Sequence, residues 1–98
     1  MEISKKLEGN VLHVALEGRL DTNTSPLLAK SLDEESGYTD IVFDFAKLEY
    51  LSSSGLRLLF TCRKNLGGKE HVIVENSNEV ILEIFRVTGF NNQVTLKQ

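Results

Sequence analysis

DIVFDFAKLEYLSSSGLRLLF, residues 40–60, changes character at its centre. Its first part carries Ile41, Val42, Phe43 and Phe45, an almost unbroken run of β-favouring apolar residues. A short run without alternation reads as a strand covered on both faces, which predicts a central parallel strand. Its last part places Leu56, Leu59 and Phe60, with Leu66 beyond, near helical spacing, while Arg57, Arg63 and Lys64 fall on other faces. Ser52, Ser53, Ser54 and Gly55 form a small polar turn between the two. A strand leading through such a turn into a helix is half of a β-α-β unit, so an α/β class follows.

The flanking sequence extends this pattern. Upstream, EISKKLEG and VLHVALEG are joined by Gly9-Asn10, a hairpin signal. GRLDTNTS then reads as a polar loop, with Ser25 as the N-cap of a helix and Pro26 at its first position, where a missing N–H costs nothing. Leu27, Leu28 and Leu32 give this helix an apolar side, and Ser36-Gly37 is expected to end it. Downstream, Gly67-Gly68 stop the second helix and HVIVE is a second buried-type strand. NSNEVILEIFRVTG is a helix with Asn76 and Glu79 in capping-box positions, an inner stripe of Val80, Ile81, Ile84 and Phe85, and Gly89 at its end. QVTLK is a short last strand. The expected order is β-β-α-β-α-β-α-β: a mostly parallel or mixed sheet of four to five strands with three helices, one domain over residues 1–98.

Composition narrows the function classes. Hydrophobic residues make up 41% and charged residues 26% of 98, ordinary globular usage that argues against disorder. A chain of this length buries roughly two-thirds or less of its unfolded surface, leaving little room for a deep active-site cavity. The net charge of −3, with scattered cations, does not suit direct nucleic-acid binding. Cys62 is the single cysteine, so neither an intramolecular disulfide nor a thiolate metal cluster is expected. Cys62 and Phe60 read as core or near-core residues. MEISKKLEGN has no signal-peptide apolar run, and no segment approaches the ~20 apolar residues of a membrane span. A cytoplasmic domain without cofactor is the expectation.

The serines admit a structural and a functional reading. A helix start leaves N–H groups unpartnered, and Ser at the N-cap accepts one of them, so a capping role for Ser53 is sufficient by itself. Gly55 serves close packing on this reading. A nucleophile elbow needs Gly-x-Ser-x-Gly, but Leu51 stands two before Ser53, and the candidate bases His13 and His71 lie on strands. A Walker-type phosphate loop is absent, and the turn contains no Lys. A covalent phosphate switch remains. A phosphate of roughly −1.5 to −2 charges suits a helix N-terminus and obstructs a partner packed over it.

LEYLSSSGLRLLF resembles the phosphorylation-site segment of the STAS-domain anti-sigma factor antagonists, VALEGRLDTNTSP is similar to the stretch leading into that family's first helix, and NSNEVILEIFRVTGFNNQV to its closing segment. The resemblance implies a non-enzymatic binding module. Unphosphorylated, such a protein binds an anti-sigma factor serine kinase and frees the sigma factor. Phosphorylation weakens that complex, and a serine phosphatase restores it. The phosphorylated residue aligns with Ser53, with Ser52 and Ser54 as alternative hydroxyls, since Ser52 replaces the family's usual Asp. Arg19 replaces its usual Glu, and Asp21 aligns with a family aspartate. The implied partner surface comprises Arg19, Asp21, Thr22, Asn23 and Thr24, together with Ser52, Ser53, Ser54, Gly55, Leu56 and Arg57. The alternative is a non-switching STAS-type domain that senses a ligand or scaffolds a larger assembly.

Overall fold

A computed structural model describes residues 1–97. In chain order the elements are β1 (Glu2–Glu8), β2 (Val11–Leu20), α1 (Ser25–Asp33), β3 (Asp40–Leu51), α2 (Ser53–Leu66), β4 (Val72–Glu75), α3 (Glu79–Thr88) and β5 (Thr95–Lys97). Single 3-10 turns at Lys69–His71 and Phe90–Asn92 precede β4 and follow α3. The five strands form one mixed sheet in the order β1-β2-β3-β4-β5. β1 pairs antiparallel to β2, and the remaining pairs are parallel. This is the expected α/β order.

Each β-α-β unit steps in the same direction across the sheet, so right-handed crossovers bring α1, α2 and α3 to one face. Burial follows. Leu12, Val14, Leu16, Ile41, Phe43, Phe45, Val72 and Val74 point under the helices and are buried. On the other face His13, Ala15 and Glu17 are exposed, and Val42, Asp44, Ile73 and Glu75 are half-buried. The expectation that β3 is covered on both faces is therefore corrected. β3 is central and parallel but covered on one face only. Its run contains one off-face apolar residue, Val42, which pairs in register with Ile73 of β4. Two β-branched side chains supporting each other across strands explain the pattern without a second layer.

Other boundaries move for local reasons. β2 continues through Gly18, Arg19 and Leu20, so the loop begins at Asp21. The N-cap of α1 is Thr24, and Ser25 is the first helical residue. Ser25 donates its N–H to the Asp21 carbonyl at 2.8 Å, and its buried hydroxyl has no partner among the described residues. α1 ends at Asp33, short of Gly37, and its Leu27 is 56% exposed while Leu28 and Leu32 are buried. α3 is capped by Asn78, whose Oδ1 accepts from the Ile81 N–H at 2.8 Å; Asn76 instead has φ 62°. Ile81 and Phe85 are buried, whereas Val80 faces solvent. Gly67 and Gly89 do end α2 and α3 with φ 92° and 73°, conformations glycine adopts without a Cβ penalty.

Candidate functional site

β2 and β3 are parallel neighbours, paired Leu20 to Leu51, so both chains leave the sheet at the same edge. The Ser52 N–H donates to the Leu20 carbonyl at 2.9 Å, tying the two exits together. The segments predicted as a site from separate parts of the sequence are thereby adjacent.

The first segment is a tight turn built on Asp21. Its Oδ1 accepts the N–H groups of Asn23 at 2.9 Å and Thr24 at 3.1 Å. The Thr24 hydroxyl accepts the Asp21 N–H and donates to the Arg19 carbonyl, each at 2.8 Å. These bonds favour the carboxylate. The Thr24 N–H is foremost, and with that of Asn23 it holds the Asp21 carboxyl below its ordinary range. Arg19 lies with its guanidinium 4.6 Å from the Tyr50 ring centroid, a cation–π contact between the ends of β2 and β3.

The second segment separates the three serines. Ser52 is the N-cap of α2, in extended conformation (φ −90°, ψ 176°), and its Oγ accepts from the Gly55 N–H at 3.4 Å. The capping role expected of Ser53 thus belongs to Ser52. The reason is backbone conformation: an N-cap residue is non-helical, and Ser53 is already helical. Ser54 Oγ lies 3.1 Å from Thr22 Oγ1, linking the two segments. Ser53 is exposed, and its hydroxyl makes no hydrogen bond to the described residues.

Gly55 is buried beneath this turn. A Cβ there would lie 2.5 Å from Leu51 Cδ1 and 3.0 Å from Leu20 Cγ, so the backbone of α2 rests directly on the ends of both strands. Leu56 is partly buried against the core, and Arg57 is exposed. The edge therefore presents Arg19, Thr22, Asn23, Ser53 and Arg57 outward, while Gly55 and Leu56 support it from below.

Two features escaped sequence reasoning. A groove of about 460 Å³ runs between α1 and α2, lined by Thr22, Pro26, Ala29, Ser54, Leu58 and Thr61 among others. Short side chains at helical spacing on α2, Ser54 and Thr61 on either side of Leu58, facing Ala29 of α1, were its signal. Phe60, expected in the core, is 43% exposed on the outer side of α2, whereas Cys62 is buried. Burial pushes the Cys62 thiol up to about 11. The histidines are not at this edge. His71 pairs through Nδ1 with Asp40 Oδ1 at 2.8 Å, at the start of β3, the opposite end of a 12-residue strand from Ser52. His13 lies near the start of β2 on the open face, its Nε2 3.7 Å from Glu8 Oε1.

A family model described as the STAS domain matches residues 2–98. Solved structures share the fold. TM1081 of Thermotoga maritima superposes with a TM-score of 0.87 at 19% identity, covering 98% of this chain and 86% of that one. An anti-sigma factor antagonist from Mycobacterium paratuberculosis gives 0.84 at 22% identity, covering 97% and 83%. The anti-sigma factor antagonist SpoIIAA, in its unphosphorylated form, gives 0.82 at 17% identity, covering 99% and 89%. The phosphorylated form of SpoIIAA from Bacillus gives 0.74 at 17% identity, covering 99% and 92%. No curated protein sequence matches. With the family pattern running from its second residue to its last, this chain belongs to the STAS domain family.

Proposed function

We propose that this chain is an anti-sigma factor antagonist whose binding is switched by phosphorylation of Ser53. The observation that carries the proposal is the division of labour among the serines: Ser52 caps, Ser54 bonds to Thr22, and Ser53 alone is exposed and uncommitted at the helix start. A fold shared with SpoIIAA, solved in unphosphorylated and phosphorylated forms, supports the same reading.

In this reading an anti-sigma factor serine kinase docks over the β2–α1 and β3–α2 turns and moves the γ-phosphoryl group of ATP to Ser53 Oγ. The P–O bond to ADP breaks, a P–O bond to serine forms, and the hydroxyl proton leaves to solvent. A phosphatase hydrolyses the ester to serine and inorganic phosphate. At the start of α2 the dianion meets free N–H groups and the positive end of the helix dipole, so the domain tolerates it. A partner packed over the same edge must desolvate it, which weakens the complex.

Incubation with the kinase-type anti-sigma factor of the source organism and ATP tests this directly. One phosphate at residue 53 is expected by mass spectrometry. In calorimetry Ser53→Asp should bind the kinase at least tenfold more weakly, and Ser53→Ala should bind as the parent does. A phosphate located on another residue removes the site assignment. Parent-like binding by both variants removes the switch and favours the second reading, a ligand sensor or scaffold, to which the groove between α1 and α2 gives a place.

A further inference from the structure

The outer side of α2 carries one straight exposed line. Ser53, Arg57, Phe60 and Lys64 stand at i, i+4, i+7 and i+11, spacing that aligns side chains along one helix face, and all four are exposed. The sequence of α2, SSGLRLLFTCRKNL, contains three cations and no carboxylate. None of the three cations forms an ion pair among the described residues, and the Arg63 guanidinium lies 5.7 Å from the Phe60 ring centroid. The helix dipole accounts for Arg63 and Lys64, which lie in the last turn. It does not account for Arg57, which stands near the positive end. Burial does not account for Phe60, which is 43% exposed.

We infer that the Ser53–Arg57–Phe60–Lys64 face of α2 docks an acidic segment of a partner protein that inserts an apolar side chain beside Phe60. Charge complementarity selects this occupant. The chain carries a net charge of −3, so an acidic ligand is repelled by the molecule as a whole and attracted where cations stand without carboxylates. Arg beside an exposed aromatic ring is the residue combination that anchors interfaces. The inference rests on reading Ser53 as the switch and gives that switch a second action. Ser53 and Arg57 are four residues apart, the spacing of helical ion pairs, so a phosphate on Ser53 draws Arg57 to itself. One modification then adds an anion to the face and withdraws a cation from it.

The test uses the full chain, ¹⁵N-labelled, titrated with a synthetic amphipathic peptide of Glu and Leu and with its twin carrying Lys for every Glu. The acidic peptide is expected to shift amide signals along residues 53–64, and the Lys twin is not. Binding should weaken at least tenfold in Arg57→Glu/Lys64→Glu, surface changes that leave the core intact. It should weaken comparably in chain made with phosphoserine at 53. No binding, shifts centred elsewhere, equal binding of the twin, or parent-like binding by the charge-reversed variant overturns the inference. The kinase assay reads the switch separately. A chain phosphorylated and released by its kinase, yet indifferent to acidic peptide, keeps the switch and loses this surface. A chain that the kinase ignores, yet that binds acidic peptide on α2, loses the switch and keeps the surface.

Discussion

Ser52 and Ser53 differ by one position and by everything their backbones allow. Ser52 is extended and its hydroxyl closes the first turn of α2; Ser53 is helical and its hydroxyl meets solvent. Ser52→Ala should therefore destabilise the domain by about 1 kcal/mol, the usual cost of losing a cap. Ser53→Ala should stay within ~0.5 kcal/mol of the parent, as surface changes do. Urea denaturation of the two variants checks both, and the reverse ranking would contradict the assignment of roles. At Asp21 the expectation concerns pH. Its carboxyl is depressed in the folded chain by the Thr24 N–H first, then that of Asn23, from an ordinary value of 3.8. A depressed carboxylate contributes stability that is present above its unfolded pKa and lost as pH falls through the folded one. The turn holding Thr22 against Ser54 should thus stay ordered at neutral pH and loosen only in acid. A side-chain carboxyl titration by NMR with a midpoint at or above 3.8 would contradict it.

Among the helices, existence and order were readable from sequence and starting points were not. Three caps were misplaced by one or two residues: Ser25 for Thr24, Ser53 for Ser52, Asn76 for Asn78. In each case neighbouring residues were chemically competent, and only backbone conformation chose between them. Asn76 shows why. It takes φ 62°, a left-handed conformation that Asn tolerates better than most residues, and so turns the chain out of β4 rather than starting α3. Asn78 then does more than cap. Its Oδ1 receives the Ile81 N–H, and its Nδ2 donates to the carbonyls of Leu48 at 3.1 Å and Glu49 at 3.3 Å, fastening α3 to β3. Asn78→Ala should cost about 2 kcal/mol, the upper end for a cap, because the strand attachment is lost with it. Asn78→Asp should recover the cap but not the attachment, and so fall between. Thermal or urea unfolding of the pair checks this; Asn78→Asp as stable as the parent would mean that the strand contacts contribute nothing, and Asn78→Asp no more stable than Asn78→Ala would mean that the cap contributes nothing.

Across the molecule, the element order and the mixed sheet followed from the alternation of strand and helix patterns, but the uncovered face did not, because Val42 and Ile73 made two strands look apolar on both sides. The candidate edge was readable in part. Asp21 and the serines announced themselves as turn residues, whereas the exposed face of α2 was hidden by counting Phe60 into the core. What joins these levels is rigidity. Gly55 seats α2 directly on Leu20 and Leu51, so a charge placed at Ser53 has no soft backbone beneath it to disturb. Phosphorylation should therefore act on binding and not on folding. A phosphate adds roughly −1.5 to −2 charges at the positive end of a 14-residue helix, worth typically 0.3–1 kcal/mol of stabilisation at low salt. The opposing term is self-repulsion in a chain already at −3, which at this exposed position is screened at physiological ionic strength. The sum predicts an unfolding midpoint for the phosphorylated chain equal to or slightly above that of the parent in low salt, converging with it as salt is raised. Denaturation of chain carrying phosphoserine at 53, at low and high salt, measures this. A loss of more than ~1 kcal/mol on phosphorylation would mean that the modification works by loosening α2, and the docking edge would then be switched by disorder instead of by charge.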